Sequence, residues 1–226
     1  MNSKKINVAL ISAVTSLMLA APAAVSANEA GDILVKAGLA FIDPDSGKSP
    51  AYVGGDYAGA DLTVGDDTQL LGNFAYFFNA NWAIEAIVAT PFTHDVALGG
   101  GNIAEVTHLP PIVSALYYFD TASAFQPYVG VGINYTFFWD EKFNSATQGA
   151  GYSNLSLDSS VGLAVQAGFD YYLDEAWFVN ASVRYAYIQT DITFDVAGGS
   201  ALGGKDGSST IDINPMVYSL TVGYKF

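Results

Sequence analysis

The chain has 226 residues, of which 51% are hydrophobic, 14% aromatic and only 13% charged, with eight basic against 22 acidic side chains and no cysteine. This content excludes a disordered chain, and the acidic balance argues against nucleic acid as a partner. The absence of cysteine excludes a disulfide scaffold and cysteine-ligated zinc or iron–sulfur sites.

Residues Met1–Ala27 read as a secretory signal peptide. Lys4 and Lys5 form a basic start, Val8–Ala24 an apolar stretch, and Val25-Ser26-Ala27 a small-residue cleavage site. The expected mature domain is therefore 28–226, exported and without those two lysines.

Beyond Ala27 no apolar run approaches the roughly 20 residues of a spanning helix. Instead, eight segments alternate with period two, rich in Val, Ile, Phe and Tyr. They lie near Ile33–Phe41, Thr68–Phe78, Trp82–Phe92, Glu105–Phe119, Phe125–Trp139, Ser160–Leu173, Trp177–Thr193 and Ile211–Phe226. In the fifth, Val129, Val131, Ile133, Tyr135, Phe137 and Trp139 share one face, opposite Tyr128, Gly130, Gly132, Asn134, Thr136 and Phe138. The sixth repeats the pattern. Too few charges exist to coat eight strands, and Lys36, Glu85, Asp170, Arg184 and Lys225 all fall on the mixed face. An apolar outside with a polar inside predicts an all-β fold: an eight-stranded antiparallel transmembrane barrel of the bacterial outer membrane, closed because lipid offers the backbone no partner.

The connections predict its orientation. Short turns at Asn79–Asn81, Asp120–Ala124 and Asp174–Ala176 alternate with long loops at Asp43–Asp67, Thr93–Ala104, Asp140–Ser159 and Phe194–Thr210. Short turns face the periplasm in such barrels and long loops the outside, so both termini are expected to be periplasmic. Trp82, Trp177, Tyr76, Phe119 and Tyr171 suit one interfacial belt, and Phe137 and Trp139 the other. The run Met216, Tyr218, Leu220, Val222, Tyr224, Phe226 resembles the C-terminal signal read by the outer-membrane barrel assembly machinery. Outer-membrane lipid and lipopolysaccharide are the expected surroundings.

Several blocks carry a family resemblance: Ala89-Thr90-Pro91-Phe92 with His94, His108-Leu109-Pro110-Pro111, and Pro127–Tyr135 running on to Phe143-Asn144. Leu155-Ser156-Leu157, Gly168-Phe169-Asp170-Tyr171 and Asp212-Ile213-Asn214-Pro215 follow. On these the chain resembles the OmpW family of small outer-membrane barrels over essentially all of its mature length, least in the first long loop. The resemblance implies passage of small hydrophobic molecules inward; relatives are linked to alkane uptake, and some serve as colicin receptors.

The inward positions give their own reading. Eight strands leave an interior barely wide enough for side chains or one small ligand. Lys36, Glu85, Asp170 and Arg184 fall in the periplasmic half as a balanced set, and buried charges must pair; they are expected to form a polar plug. Higher up, Leu71, Ile87, Ile112, Phe138 and Ile188, with Ala89 and Ala164, make the lumen apolar. A ligand entering there must leave through the wall. Pro91, Pro110 and Pro111 lack the N–H a ladder needs and mark a lateral exit into the bilayer; a strand end or rim bulge is the alternative.

His94 and His108 flank the second loop without a helpful acidic partner for a metal, and rim hydrogen bonding accounts for them. Asp43, Asp45, Asp56, Asp61, Asp66 and Asp67 form a solvated acidic rim, with divalent ions bridging them to lipopolysaccharide phosphates as the alternative. No cofactor is expected, and with no convincing Ser–His–acid set an enzyme is not expected. The two functional readings are a passive channel for small hydrophobic ligands and a structural, adhesive or receptor barrel acting through its loops.

Overall fold

The computed structural model describes residues 28–45, 49–198 and 204–226; the expected signal segment Met1–Ala27 lies outside the described residues. In chain order the strands are β1 (Ile33–Asp43), β2 (Ser49–Val53), β3 (Asp56–Val64), β4 (Asp67–Phe77), β5 (Trp82–Ala89), β6 (Phe92–Leu98), β7 (Gly101–Leu109) and β8 (Ile112–Tyr118). Then come β9 (Phe125–Phe143), the single helical turn α1 (Ser145–Gly149), β10 (Tyr152–Leu157), β11 (Ser160–Tyr172), β12 (Trp177–Ala186), β13 (Gln189–Val196), β14 (Gly207–Asp212) and β15 (Met216–Lys225).

Eight of these close a ring in the order β1–β4–β5–β8–β9–β11–β12–β15, every neighbour antiparallel. The ring shuts where β15 returns to β1, in unbroken register from Leu34↔Lys225 to Asp43↔Met216. Its outer face is apolar: Val161, Leu163 and Leu70 are 66%, 65% and 62% exposed. Water would tolerate such a girdle poorly, and lipid suits it. Trp82 and Trp177 stand exposed at the end with the short turns, each edge-on to a tyrosine, Tyr117 at 5.1 Å and Tyr224 at 5.0 Å.

Gly38 sits in the closing seam because nothing larger fits. A Cβ there would run into the backbone carbonyl of Leu220, which cannot yield without breaking the register. Gly38→Val is therefore expected to destabilise the barrel by about 1–3 kcal/mol. A fall in the heat-modifiable folded band on an unheated gel measures this; a wild-type band would contradict the tightness of the seam.

Among the described residues, the long loops expected at Asp43–Asp67 and Thr93–Ala104 are mostly strand, and those expected at Asp140–Ser159 and Phe194–Thr210 begin in strands that run up from the ring and contain further strand segments. The sheet continues above the ring in the order β10–β13–β14–β2–β3–β6–β7–β9, with the 19-residue β9 belonging to both levels. The polarity of the pleat inverts at the junction. Below, apolar side chains face out. Above, Leu62, Val96, Val106, Ile192 and Val196 face in and are buried, while Thr93, Asp95, Asp191 and Asp195 face out. Outward aspartates and threonines place this hairpin extension in water, so its strands follow the alternation of a soluble sheet. Gly99 and Gly100 turn β6 into β7 with φ of +59° and +87°, the paired positive values that a two-residue hairpin turn demands.

Candidate functional site

The four inward charges meet. Lys36 (β1), Glu85 (β5), Asp170 (β11) and Arg184 (β12) reach the axis from four strands, and their side chains are essentially fully buried. Lys36 Nζ lies 3.3 Å from Glu85 Oε2 and 3.7 Å from Asp170 Oδ1, and Arg184 Nη2 lies 3.8 Å from Glu85 Oε1. Neutral groups complete the network. Asn73 and Gln166 donate to the two Glu85 oxygens at 3.0 and 2.9 Å, and Arg184 donates to Gln166 Oε1. Tyr118 Oη and Asn180 Nδ2 donate to Asp170 at 2.9 and 2.7 Å, and Lys36 Nζ sits 4.9 Å from the Tyr128 ring centre. Charges so deprived of water persist only when paired and hydrogen-bonded. Beneath them Leu34, Phe77, Leu116, Tyr172 and Phe178 form a buried apolar floor.

The structure places Leu71, Ile87, Ile112 and Ile188 together in one buried apolar cluster above the charges, with Ala164, while Phe138 and Ala89 pack against it partly buried. The cluster runs up without interruption into the hairpin extension through Val96, Ile192, Ile211 and Ile213. It is filled by its own side chains. One cavity within it, between Val96, His94, His108, Phe138, Leu157 and Ile192, measures about 20 Å³, room for a water but not for a ligand. The apolar upper lumen is thus packed, and a ligand enters it only by displacing side chains.

Pro91, Pro110 and Pro111 fall at the junction of the two levels, Pro91 between β5 and β6, the pair between β7 and β8. Here the ladder between the third and fourth barrel strands is interrupted. Ile87↔Ile112 is the last pair of β5 with β8, and Phe92↔His108 the first of β6 with β7. Val88–Pro91 on one side and Leu109–Pro111 on the other have no register partners across the break. The other flank of the fourth strand is held, since the Tyr135 N–H donates to the Pro111 carbonyl at 3.1 Å. Polar groups on an antiparallel strand alternate sides, so Pro111 turns to β9 and Pro110 turns to the break. Inward alternation also slips by one residue at Thr90-Pro91, because Ile87 and Ala89 but then Phe92 and His94 face the lumen. The break opens directly onto Ile87 and Ile112 of the apolar cluster.

His94 and His108 are not separate rim residues. Their Nε2 atoms lie 3.0 Å apart, both rings are buried, and His94 Nδ1 is 2.7 Å from the Gly65 carbonyl. Burial pushes both imidazoles below their ordinary range, and for His108, with His94 beside it, to about 3; Asp67, Asp66 and Asp95 pull His94 the other way. Above about pH 6.5 the pair is neutral whether folded or not. As pH falls, the unfolded chain takes up protons that the folded hairpins refuse, so stability drops by at most about 1.4 kcal/mol per unit for His108. Amide exchange of β6 and β7, corrected for intrinsic rates, is expected to lose protection between pH 6.5 and 4.5; equal protection would contradict it. Among the described residues, no group of three or more metal-ligand side chains gathers.

The OmpW family sequence profile matches residues 29–226. Outer membrane protein W of Vibrio cholerae is 41% identical over 95% of this chain and 96% of that protein, and that of Escherichia coli K12 is 39% identical over 99% and 100%. The crystal structure of OprG from Pseudomonas aeruginosa superposes with a TM-score of 0.84 at 40% identity, covering 89% of this chain and 99% of that one. The chain belongs to the OmpW family of outer-membrane β-barrel proteins.

Proposed function

We propose that this barrel passively admits small hydrophobic molecules across the outer membrane, taking them in at the hairpin end and releasing them sideways into the bilayer. The observation that carries this reading is the vertical order of three features. A sealed network of paired charges occupies the end with the short turns, an apolar cluster lies above it, and the one interruption of the third–fourth strand ladder opens onto that cluster. Straight-through flow meets Lys36, Glu85, Asp170 and Arg184. A sideways step at Pro91 and Pro110 bypasses those charges and starts from the apolar Ile87 and Ile112. In this reading the short turns and both termini face the periplasm, and Leu71, Ile87, Ile112, Phe138 and Ile188 are the side chains a ligand displaces. Cells with an intact outer membrane are expected to take up a small apolar dye several-fold faster with the barrel than without it; equal rates would overturn the reading. A receptor role draws support from the outward acids of the hairpins, Asp61, Asp95, Glu105 and Asp195, and predicts loop-dependent binding with no change in dye entry.

A further inference from the structure

The histidine pair has only one arrangement of protons when neutral. A carbonyl oxygen only accepts, so His94 Nδ1 must carry a hydrogen to bond Gly65 O at 2.7 Å. His94 Nε2 is then an acceptor, and the 3.0 Å contact requires His108 Nε2 to donate to it. His108 Nδ1 is left with a bare lone pair. That atom is buried and has no hydrogen-bond partner, in a residue only 2% exposed. The cavity lined by both histidines is otherwise apolar apart from Thr190, whose hydroxyl is committed to the Asp158 carbonyl at 2.6 Å. A buried acceptor without a donor is costly and is seldom left so.

We propose that this acceptor is a recognition point for ligands that pair an apolar body with one hydroxyl or N–H donor, such as a phenol or a small alcohol, in preference to pure hydrocarbons. The proposal rests on the passage reading above and narrows its substrate class. The cavity of about 20 Å³ beside the pair has an apolar surface, so it takes part of the ligand's apolar body, and the donor reaches Nδ1 as the packing next to it opens. Phe138, which lines the cavity with its ring centre 5.6 Å from that of His108, offers an edge or face for an aromatic body. Val64, Phe138 and Leu157 are only partly buried, so their displacement makes room for the rest. The low proton affinity of His108 keeps its lone pair unprotonated near neutral pH.

The probes are p-cresol and p-xylene, which match in shape and differ in a hydroxyl. In the wild-type barrel, with imidazole nitrogens labelled, p-cresol is expected to shift the His108 Nδ1 resonance and p-xylene to leave it in place. In intact cells, the ratio of p-cresol to p-xylene entry is expected to fall about tenfold from the wild-type barrel to His108→Phe. A Nδ1 resonance unmoved by p-cresol means a bound water only and overturns the proposal, as does equal loss of both probes in the variant. The ring measurement needs no variant to fold. It also separates the two readings: a Nδ1 shift without entry of either probe keeps the site and removes the passage.

Discussion

Glu85→Leu is expected to lower the stability of the folded barrel by about 3–5 kcal/mol, the cost of leaving a buried charge without its partner. Glu85 is the hub of the network, facing Lys36, Arg184, Asn73 and Gln166 with two oxygens. Without it Lys36 still has Asp170 at 3.7 Å, but Arg184 keeps only the Gln166 oxygen. Asp170→Asn should be milder, since Lys36 retains Glu85. Adding Arg184→Met to Glu85→Leu should recover much of the loss, because an apolar pair replacing a buried ion pair is often neutral. Urea titration of the three variants and the wild-type barrel refolded in lipid vesicles, followed by tryptophan fluorescence, measures these effects. A loss under about 1 kcal/mol for Glu85→Leu would mean that water reaches these charges and that the plug is not sealed.

The second large effect is on transport. Pro91→Val with Pro110→Val restores an N–H on each edge of the ladder break, and the two strands are expected to zip together between Ile87↔Ile112 and Phe92↔His108. Apolar dye entry should fall at least about tenfold, a barrier rise of about 1.4 kcal/mol or more, while the barrel itself becomes no less stable. Pro111→Val is the control, since Pro111 faces β9 and already bonds Tyr135; its dye entry should match wild type. Equal loss in the control, or no loss in the double variant, would move the exit elsewhere.

The barrel was legible because lipid turns the usual pattern inside out. Val129, Val131 and Ile133 on one face and Gly130, Gly132 and Asn134 on the other can close a sheet only with grease outward. The hairpin extension was hidden by the same rule. Above the lipid the apolar face turns inward, and outward Asp95, Asp191 and Asp195 make strands resemble acidic loops. Lys36, Glu85, Asp170 and Arg184 could be grouped by parity and depth, whereas their partners Asn73, Gln166 and Asn180 share that parity but carry no charge to draw notice. Contact between His94 and His108 depends on register. Their strand partners are Val106 and Phe92, so the rings meet diagonally, which spacing along the chain does not encode. Nor does alternation say how fully side chains fill a lumen, and the packed state of the apolar cluster follows from their volumes.

The most direct measurement pairs two probes in one experiment: entry of a small apolar dye and of a sugar of similar size into outer-membrane-intact cells, with and without the barrel. A dry passage above a sealed plug predicts faster dye entry and unchanged sugar entry. Faster entry of both would mean a wet pore through Lys36, Glu85, Asp170 and Arg184, and would contradict it.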